Sequence, residues 1–171
     1  TGRKIHLEIE PGTFLVARAG AILCTVQDVV STGSEDGMDF LKLDAGMTEI
    51  LRPSLYAAQH PLVIIPDEDR EESPDVKKSY LVVGHCCESG DILTPGPDDP
   101  ESLKPRELAQ AYPGDLCVIE GAGAYCAGMS AKNYNSFPEA PEVLLDKEGA
   151  FHLIRRRQTL EQIIENEVPW H

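Results

Sequence analysis

Polar and apolar residues alternate from Lys4 to Glu10, with Ile5, Leu7 and Ile9 on one face, until Pro11-Gly12 stops the run. A two-residue period of this kind predicts a strand with Glu10 at its C-terminal tip. Leu15-Val16-Ala17, within Phe14 to Ala21, suits a short helix broken near Gly20, and the β-branched stretch Ala21 to Val30 predicts a strand. Ser31 to Gly37 is a polar loop, Asp39 to Leu43 alternates again, and Asp44-Ala45-Gly46-Met47 turns the chain toward Arg52-Pro53-Ser54-Leu55-Tyr56. Pro53 fits the first turn of a short helix that Ala57-Ala58 would continue. The apolar runs Leu62 to Ile65 and Tyr80 to Val83 predict strands, and the charged connection Pro66 to Lys78 is expected to be a mobile surface loop.

Further on, Pro95, Pro97, Pro100 and Pro105 lie among acids between Thr94 and Arg106, which predicts an exposed loop with no central strand. Asp115 to Glu120 reads as a strand entered through Pro113-Gly114, and Gly121-Ala122-Gly123-Ala124-Tyr125 as the opening of a small-residue helix reaching about Lys132. Glu142 to Leu145 and Ala150 to Arg157 predict a strand pair around Asp146-Lys147-Glu148-Gly149. Thr159 is placed to cap a final helix whose aliphatics, Leu160, Ile163 and Ile164, are helically spaced. Many short strands and few helices predict a mainly β fold, a Greek-key-like barrel or sandwich.

Composition narrows the partners. With 15 Lys plus Arg against 29 Asp plus Glu, the net charge of -14 argues against nucleic acid and anionic membranes, which want basic patches. The one basic cluster, Arg155-Arg156-Arg157, is short and can pair with neighbouring carboxylates. No apolar run approaches the roughly 20 residues that span a bilayer, and the first residues lack a signal-peptide core. Five cysteines without a C-x-x-C pair indicate neither a disulfide framework nor a zinc site, so reduced thiols in the cytoplasm are expected.

The chemistry concentrates where the run Tyr80-Leu81-Val82-Val83-Gly84 ends in His85-Cys86-Cys87-Glu88-Ser89-Gly90-Asp91. A thiol, a hydroxyl and two carboxylates at a strand-loop junction suit proton transfer, although Ser-Gly-Asp is also ordinary turn chemistry and free cysteines are often buried hydrophobes. Adjacent strand residues point to opposite faces, so Cys86 and Cys87 should differ in environment and His85 does not complete a metal site with them. Taken alone, Glu10 also reads as an exposed strand-end acid, Arg52 as a surface arginine before a helix-starting proline, and Tyr125 as a core aromatic with a polar tip.

Together with Asp44-Ala45-Gly46-Met47, Arg52-Pro53-Ser54-Leu55-Tyr56, Gly123-Ala124-Tyr125 and Asn133-Tyr134-Asn135-Ser136, this stretch resembles the C-terminal part of the pyridoxal-phosphate-dependent diaminopimelate decarboxylases. They belong to the ornithine/diaminopimelate decarboxylase and alanine-racemase-like group of fold-type III. The resemblance implies that residues 1–12 are the last strand of a β/α barrel lying upstream and that residues 13–171 form the C-terminal β-barrel domain. It also implies that Glu10, from a Glu-Pro-Gly-Arg-like motif, holds the proton of the pyridoxal phosphate ring, and that Tyr125 contacts the cofactor phosphate. Arg52 would bind the substrate carboxylate with help from the Tyr56 hydroxyl. Cys87 would return a proton to the substrate carbon, and Glu88 would receive the distal ammonium of a small amino acid. Met47, Tyr134 and Asn135 read as packing and turn residues.

Thr13 departs from the family arginine and cannot offer a charged fork. The expected reaction is decarboxylation of meso-diaminopimelate to lysine, in a homodimer that brings the Cys-Glu loop of one subunit to the barrel of the other. A decarboxylase of ornithine or lysine is the alternative, and a non-catalytic regulatory domain is a third reading. None of the seven lysines stands in a matching Schiff-base context, so the cofactor lysine is expected in the upstream barrel and the chain alone should be inert.

Overall fold

The computed structural model describes residues 2, 4–67 and 76–170. In chain order its elements are α1 (Thr13–Val16), a single 3-10 turn at Ala17–Ala19, β1 (Ala21–Ser31), β2 (Asp39–Leu43), α2 (Arg52–Tyr56), β3 (Leu62–Ile65) and β4 (Lys77–Val83). There follow β5 (Pro95–Gly96), β6 (Asp99–Leu103), β7 (Arg106–Ala109), β8 (Leu116–Glu120), a 3-10 turn at Tyr134–Ser136, β9 (Glu142–Leu145), β10 (Phe151–Arg155) and α3 (Leu160–Ile164).

Six strands form one sheet in the order β3-β8-β1-β2-β4-β7. The edge strands β3 and β7 approach one another, which makes the sheet a nearly closed barrel. The long strand β1 is the staple: its first half pairs antiparallel with β8 from Ala21↔Glu120 to Thr25↔Leu116, and its second half with β2 up to Ser31↔Asp39. A register shift between Val26 and Asp28 separates the two halves and bends the strand so that one element serves both sides of the barrel. β2 and β4 are parallel. The core inside is Val26, Leu41, Leu43, Ile50, Tyr80, Val82, Cys117 and Ile119, all buried. The hydroxyl of Tyr80 accepts a hydrogen bond from the Ala111 N–H at 3.1 Å, so the largest core residue leaves no polar atom unsatisfied. Cys24 donates its thiol to the Cys117 carbonyl at 3.2 Å, and the adjoining Cys117 side chain, with burial, pushes its pKa far up; it is a structural thiol.

Most of the expected elements are present. β2, β3 and the β9/β10 hairpin fall where the alternation puts them, and Thr159 caps α3 through a reciprocal box with Gln162. Arg155 pairs with Glu142 at 3.2 Å, as expected of the basic cluster. No described helix is long and apolar enough to cross a membrane.

Four expectations fail for identifiable reasons. Lys4 to Glu10 forms no strand: among the described residues no neighbour offers it a ladder, and Ile5, Leu7 and Ile9 stay exposed. The stretch Gly121 to Lys132 is a series of turns, not a helix. Its amides bond across the chain, Ala122 N–H to the Gly20 carbonyl and Gly123 N–H to the Ala17 carbonyl, both at 2.9 Å. A β-carbon on Gly123 would collide with the Val16 carbonyl, so the small residues there serve close backbone approach rather than helix formation. Thr94 to Arg106 is not a plain exposed loop. Thr94, Pro95 and Gly96 are buried, β5 and β6 form a small hairpin, and Arg106 opens β7, whose partner is β4. Finally, α2 stops at Tyr56, because Ala57 takes a left-handed conformation (φ 54°). Of the expected charged loop, residues 68–75 lie outside the described residues, and Lys77 and Lys78 belong to β4.

Candidate active site

The expected site residues fall into two groups. The first is built where α1 and its 3-10 turn are clasped against residues 122 and 123. Gly12, just before α1, packs against the phenol of Tyr125 so closely that a β-carbon there would strike the hydroxyl. Tyr125 itself sits in the left-handed region (φ 58°), with half its surface exposed. Over it lies Arg52 from the start of α2, its guanidinium carbon 5.9 Å from the Tyr125 ring centre and 5.6 Å from that of Tyr56. Two aromatic faces therefore hold one guanidinium by cation–π contact and leave its N–H groups free for an anion. The Tyr56 ring face meets the guanidinium, which places Tyr56 beside Arg52. Glu10, two residues before Gly12, is exposed and makes no hydrogen bond or ion pair with any described residue.

The second group is the turn after β4. Its foundation is Asp91, 3% exposed, whose Oδ1 accepts from the Met47 N–H at 2.8 Å and whose Oδ2 accepts from the Cys86 N–H at 2.9 Å. Asp91 is thus a structural acceptor and not one of the proton-transfer groups suggested by the motif. His85 is likewise occupied: it stacks on Phe137 at 3.7 Å, and its Nε2 meets the Thr48 hydroxyl at 2.6 Å. Among the described residues no cluster of three metal-binding side chains exists.

With residues 85, 86 and 91 drawn inward, Cys87 and Glu88 are left outside. Cys87 is exposed while Cys86 is half-buried, the difference in environment that adjacent positions predicted. Burial, with the neighbouring Asp91 carboxylate, pushes the Cys86 thiol up to about 12. The Glu88 carboxylate accepts from the Gly90 N–H at 3.2 Å and from the Tyr134 hydroxyl at 3.4 Å. The Cys87 N–H donates to Asn135 Oδ1 at 2.8 Å. Tyr134 and Asn135, read above as packing and turn residues, therefore bond the Glu88 carboxylate and the backbone amide of Cys87. The signal for them was the Asn-Tyr-Asn run itself, since asparagine tolerates the left-handed conformation that both Asn133 and Asn135 adopt. No hydrogen bond, ion pair or ring contact joins the two groups among the described residues.

Residues 13–123 match the family described as pyridoxal-dependent decarboxylase, C-terminal sheet domain. The chain belongs to this family. It is 39% identical over 166 residues to the diaminopimelate decarboxylase of Buchnera aphidicola subsp. Baizongia pistaciae, covering 97% of this chain and 38% of that protein. This decarboxylase sheet domain also superposes on a crystal structure of a diaminopimelate decarboxylase with a TM-score of 0.83 at 39% identity, over 99% of this chain and 39% of the other. A crystal structure of diaminopimelate decarboxylase from Helicobacter pylori complexed with L-lysine gives a TM-score of 0.74 at 33% identity, over 92% and 34%. The chain spans less than two fifths of the length of these relatives.

The residues of the sheet domain suit a pyridoxal phosphate at the first group. An exposed phenol beside a guanidinium, at a backbone kept free of β-carbons by Gly12, is a donor set for a phosphate ester, and Glu10 nearby carries an uncommitted carboxylate for a protonated ring nitrogen.

Proposed function

We propose that this chain is the sheet domain of an enzyme that decarboxylates meso-diaminopimelate to L-lysine and CO2, working as a cytoplasmic homodimer whose pyridoxal barrel lies upstream of the sheet domain. One observation carries the reading. Among the described residues no hydrogen bond, ion pair or ring contact joins the guanidinium and phenol group to the thiol and carboxylate group, and Tyr56, Tyr125 and Cys87 are exposed. Each is half of a site, and a two-fold partner supplies the complement when the same patch pairs with itself.

Pyridoxal phosphate, when bound, supplies an electron sink for the electron pair left by departing CO2. The chain's own residues do the rest. Glu10 holds a proton at the ring nitrogen and Tyr125 orients the phosphate. Arg52 binds a substrate carboxylate as a planar two-pronged donor. Glu88, from the partner subunit's turn, takes the distal ammonium, and the Cys87 thiol beside it delivers a proton to the carbon that lost CO2. The Tyr134 hydroxyl keeps Glu88 turned toward that ammonium. Because Thr13 stands where the family has arginine, Arg52 carries the anionic recognition with less support, and the substrate is the part of the reading to test first. The full-length enzyme should release CO2 from meso-diaminopimelate with a kcat/KM at least about a hundredfold above that for L-ornithine or L-lysine. A preference for either basic amino acid would overturn the assignment.

A further inference from the structure

Three consecutive contacts fasten the segment Asn133 to Phe137 onto the segment His85 to Glu88. Phe137 stacks on His85 with the rings 7° from parallel, Asn135 Oδ1 takes the Cys87 N–H at 2.8 Å, and the Tyr134 hydroxyl reaches a Glu88 carboxylate oxygen at 3.4 Å. The order is antiparallel, 137 with 85, 135 with 87, 134 with 88. The fastening segment is itself held in a conformation that side chains resist: Asn133, Asn135 and Ser136 all have positive φ, at 59°, 51° and 64°. Asn133 anchors it by donating from Nδ2 to the Phe137 carbonyl at 3.0 Å and by meeting the Gln158 side chain, whose Oε1 also accepts the Glu139 N–H at 3.0 Å. Left-handed backbone at three of four positions persists only where surrounding contacts over-determine it, and such strain gathers where geometry is used.

We propose that Asn135 is a positioning residue for the Cys87 thiol, and Tyr134 for the Glu88 carboxylate, so that the Asn133 to Phe137 turn sets where the proton donor and the ammonium acceptor of the proposed decarboxylase stand. The assignment rests on the roles given above to Cys87 and Glu88. A peptide N–H bonded to a rigid amide oxygen fixes the backbone of Cys87, and with it the arc its sulfur can reach. The neighbouring ties, Cys86 N–H to Asp91 Oδ2 at 2.9 Å and Asp91 N–H to the Glu88 carbonyl at 3.1 Å, hold the residues on either side, and among the described residues the Asn135 bond is the hydrogen bond made by Cys87 itself. A displacement of about 1 Å at a reacting group is enough to cost a large rate factor.

The test separates the hydrogen bond from the backbone conformation. In the full-length enzyme, Asn135→Gly keeps the left-handed conformation without strain and removes only the acceptor, whereas Asn135→Asp keeps an acceptor at the same reach. Asn135→Gly should lower kcat about tenfold or more with KM within about twofold, and Asn135→Asp should restore most of the loss. Tyr134→Phe should raise KM for diaminopimelate about threefold or more and leave kcat within about twofold. Unchanged kcat in Asn135→Gly, no rescue by Asn135→Asp, or unchanged KM in Tyr134→Phe overturns the corresponding assignment. Cys87→Ala run in parallel tells the two readings apart. If it abolishes turnover while Asn135→Gly leaves kcat unchanged, only the positioning role fails; if it leaves turnover intact, the role of Cys87 and the positioning of it fall together.

Discussion

The carboxylate of Asp91 occupies the space that a β-carbon on Gly84 would need, and it fills the same space beside Gly46. Two glycines from different parts of the chain thus admit one buried acid, which ties the Asp44 to Met47 turn to the turn that carries the thiol. Asp91→Ala would strand two inward N–H groups, those of Met47 and Cys86. At about 1–3 kcal/mol for each unsatisfied buried group, the substitution should destabilise the domain by about 2–6 kcal/mol in urea unfolding, with the m-value unchanged. A loss below about 0.5 kcal/mol would show that the carboxylate is not the link.

Among the described residues Arg52 meets two ring faces and pairs with no carboxylate. Arg52→Lys keeps the charge but loses the planar fork and most of the stacking, so the full-length enzyme should show KM for diaminopimelate raised about tenfold or more. Arg52→Ala should be worse than Arg52→Lys. Steady-state kinetics that rank the two equally, both near the parent, would remove Arg52 from substrate binding.

The two neighbouring thiols should part under alkylation. Cys86 is half-buried with its pKa raised to about 12, so at pH 8 almost none of it is thiolate, and thiolate is the reactive form. Mass spectrometry after brief iodoacetamide treatment should find Cys87 modified well before Cys86. The same shift has a stability consequence of definite sign. Its folded pKa stands above the unfolded value of about 8.5, so its contribution is complete below pH about 8.5 and is lost as pH rises toward about 12. Cys86→Ser should therefore flatten part of the alkaline fall in stability seen by chemical denaturation. An identical alkaline slope in both proteins would contradict the buried environment.

Local pattern carried much of this structure. The alternation of Asp39 to Leu43, the apolar run Leu62 to Ile65 and the Thr159 cap each specify their element through near neighbours, and each element forms there. Features set by distant chain were hidden. The alternation of Ile5, Leu7 and Ile9 describes a strand only when another strand lies alongside. Small residues from Gly121 to Gly123 resemble a helix opening until Gly20 is packed against them, and the short β7 is concealed by Pro105. At the candidate site, Arg52, Tyr125, Cys87 and Glu88 were singled out by motif order as the residues proposed to act. The roles of Asp91 and Asn135 were not legible, because they come from contacts across 44 and 48 residues that no local pattern encodes.

The proposed division of the site between two copies of the chain is tested most directly by complementation between full-length subunits. Cys87→Ala and Glu10→Ala homodimers should each be nearly inactive in CO2 release. Mixed in equal amounts under conditions that exchange subunits, they should recover about a quarter of the parent activity: half the dimers are hybrids, and each hybrid has one intact site of two. No recovery despite demonstrated hybrid formation would mean that Glu10 and Cys87 act within the same subunit, or not together at all.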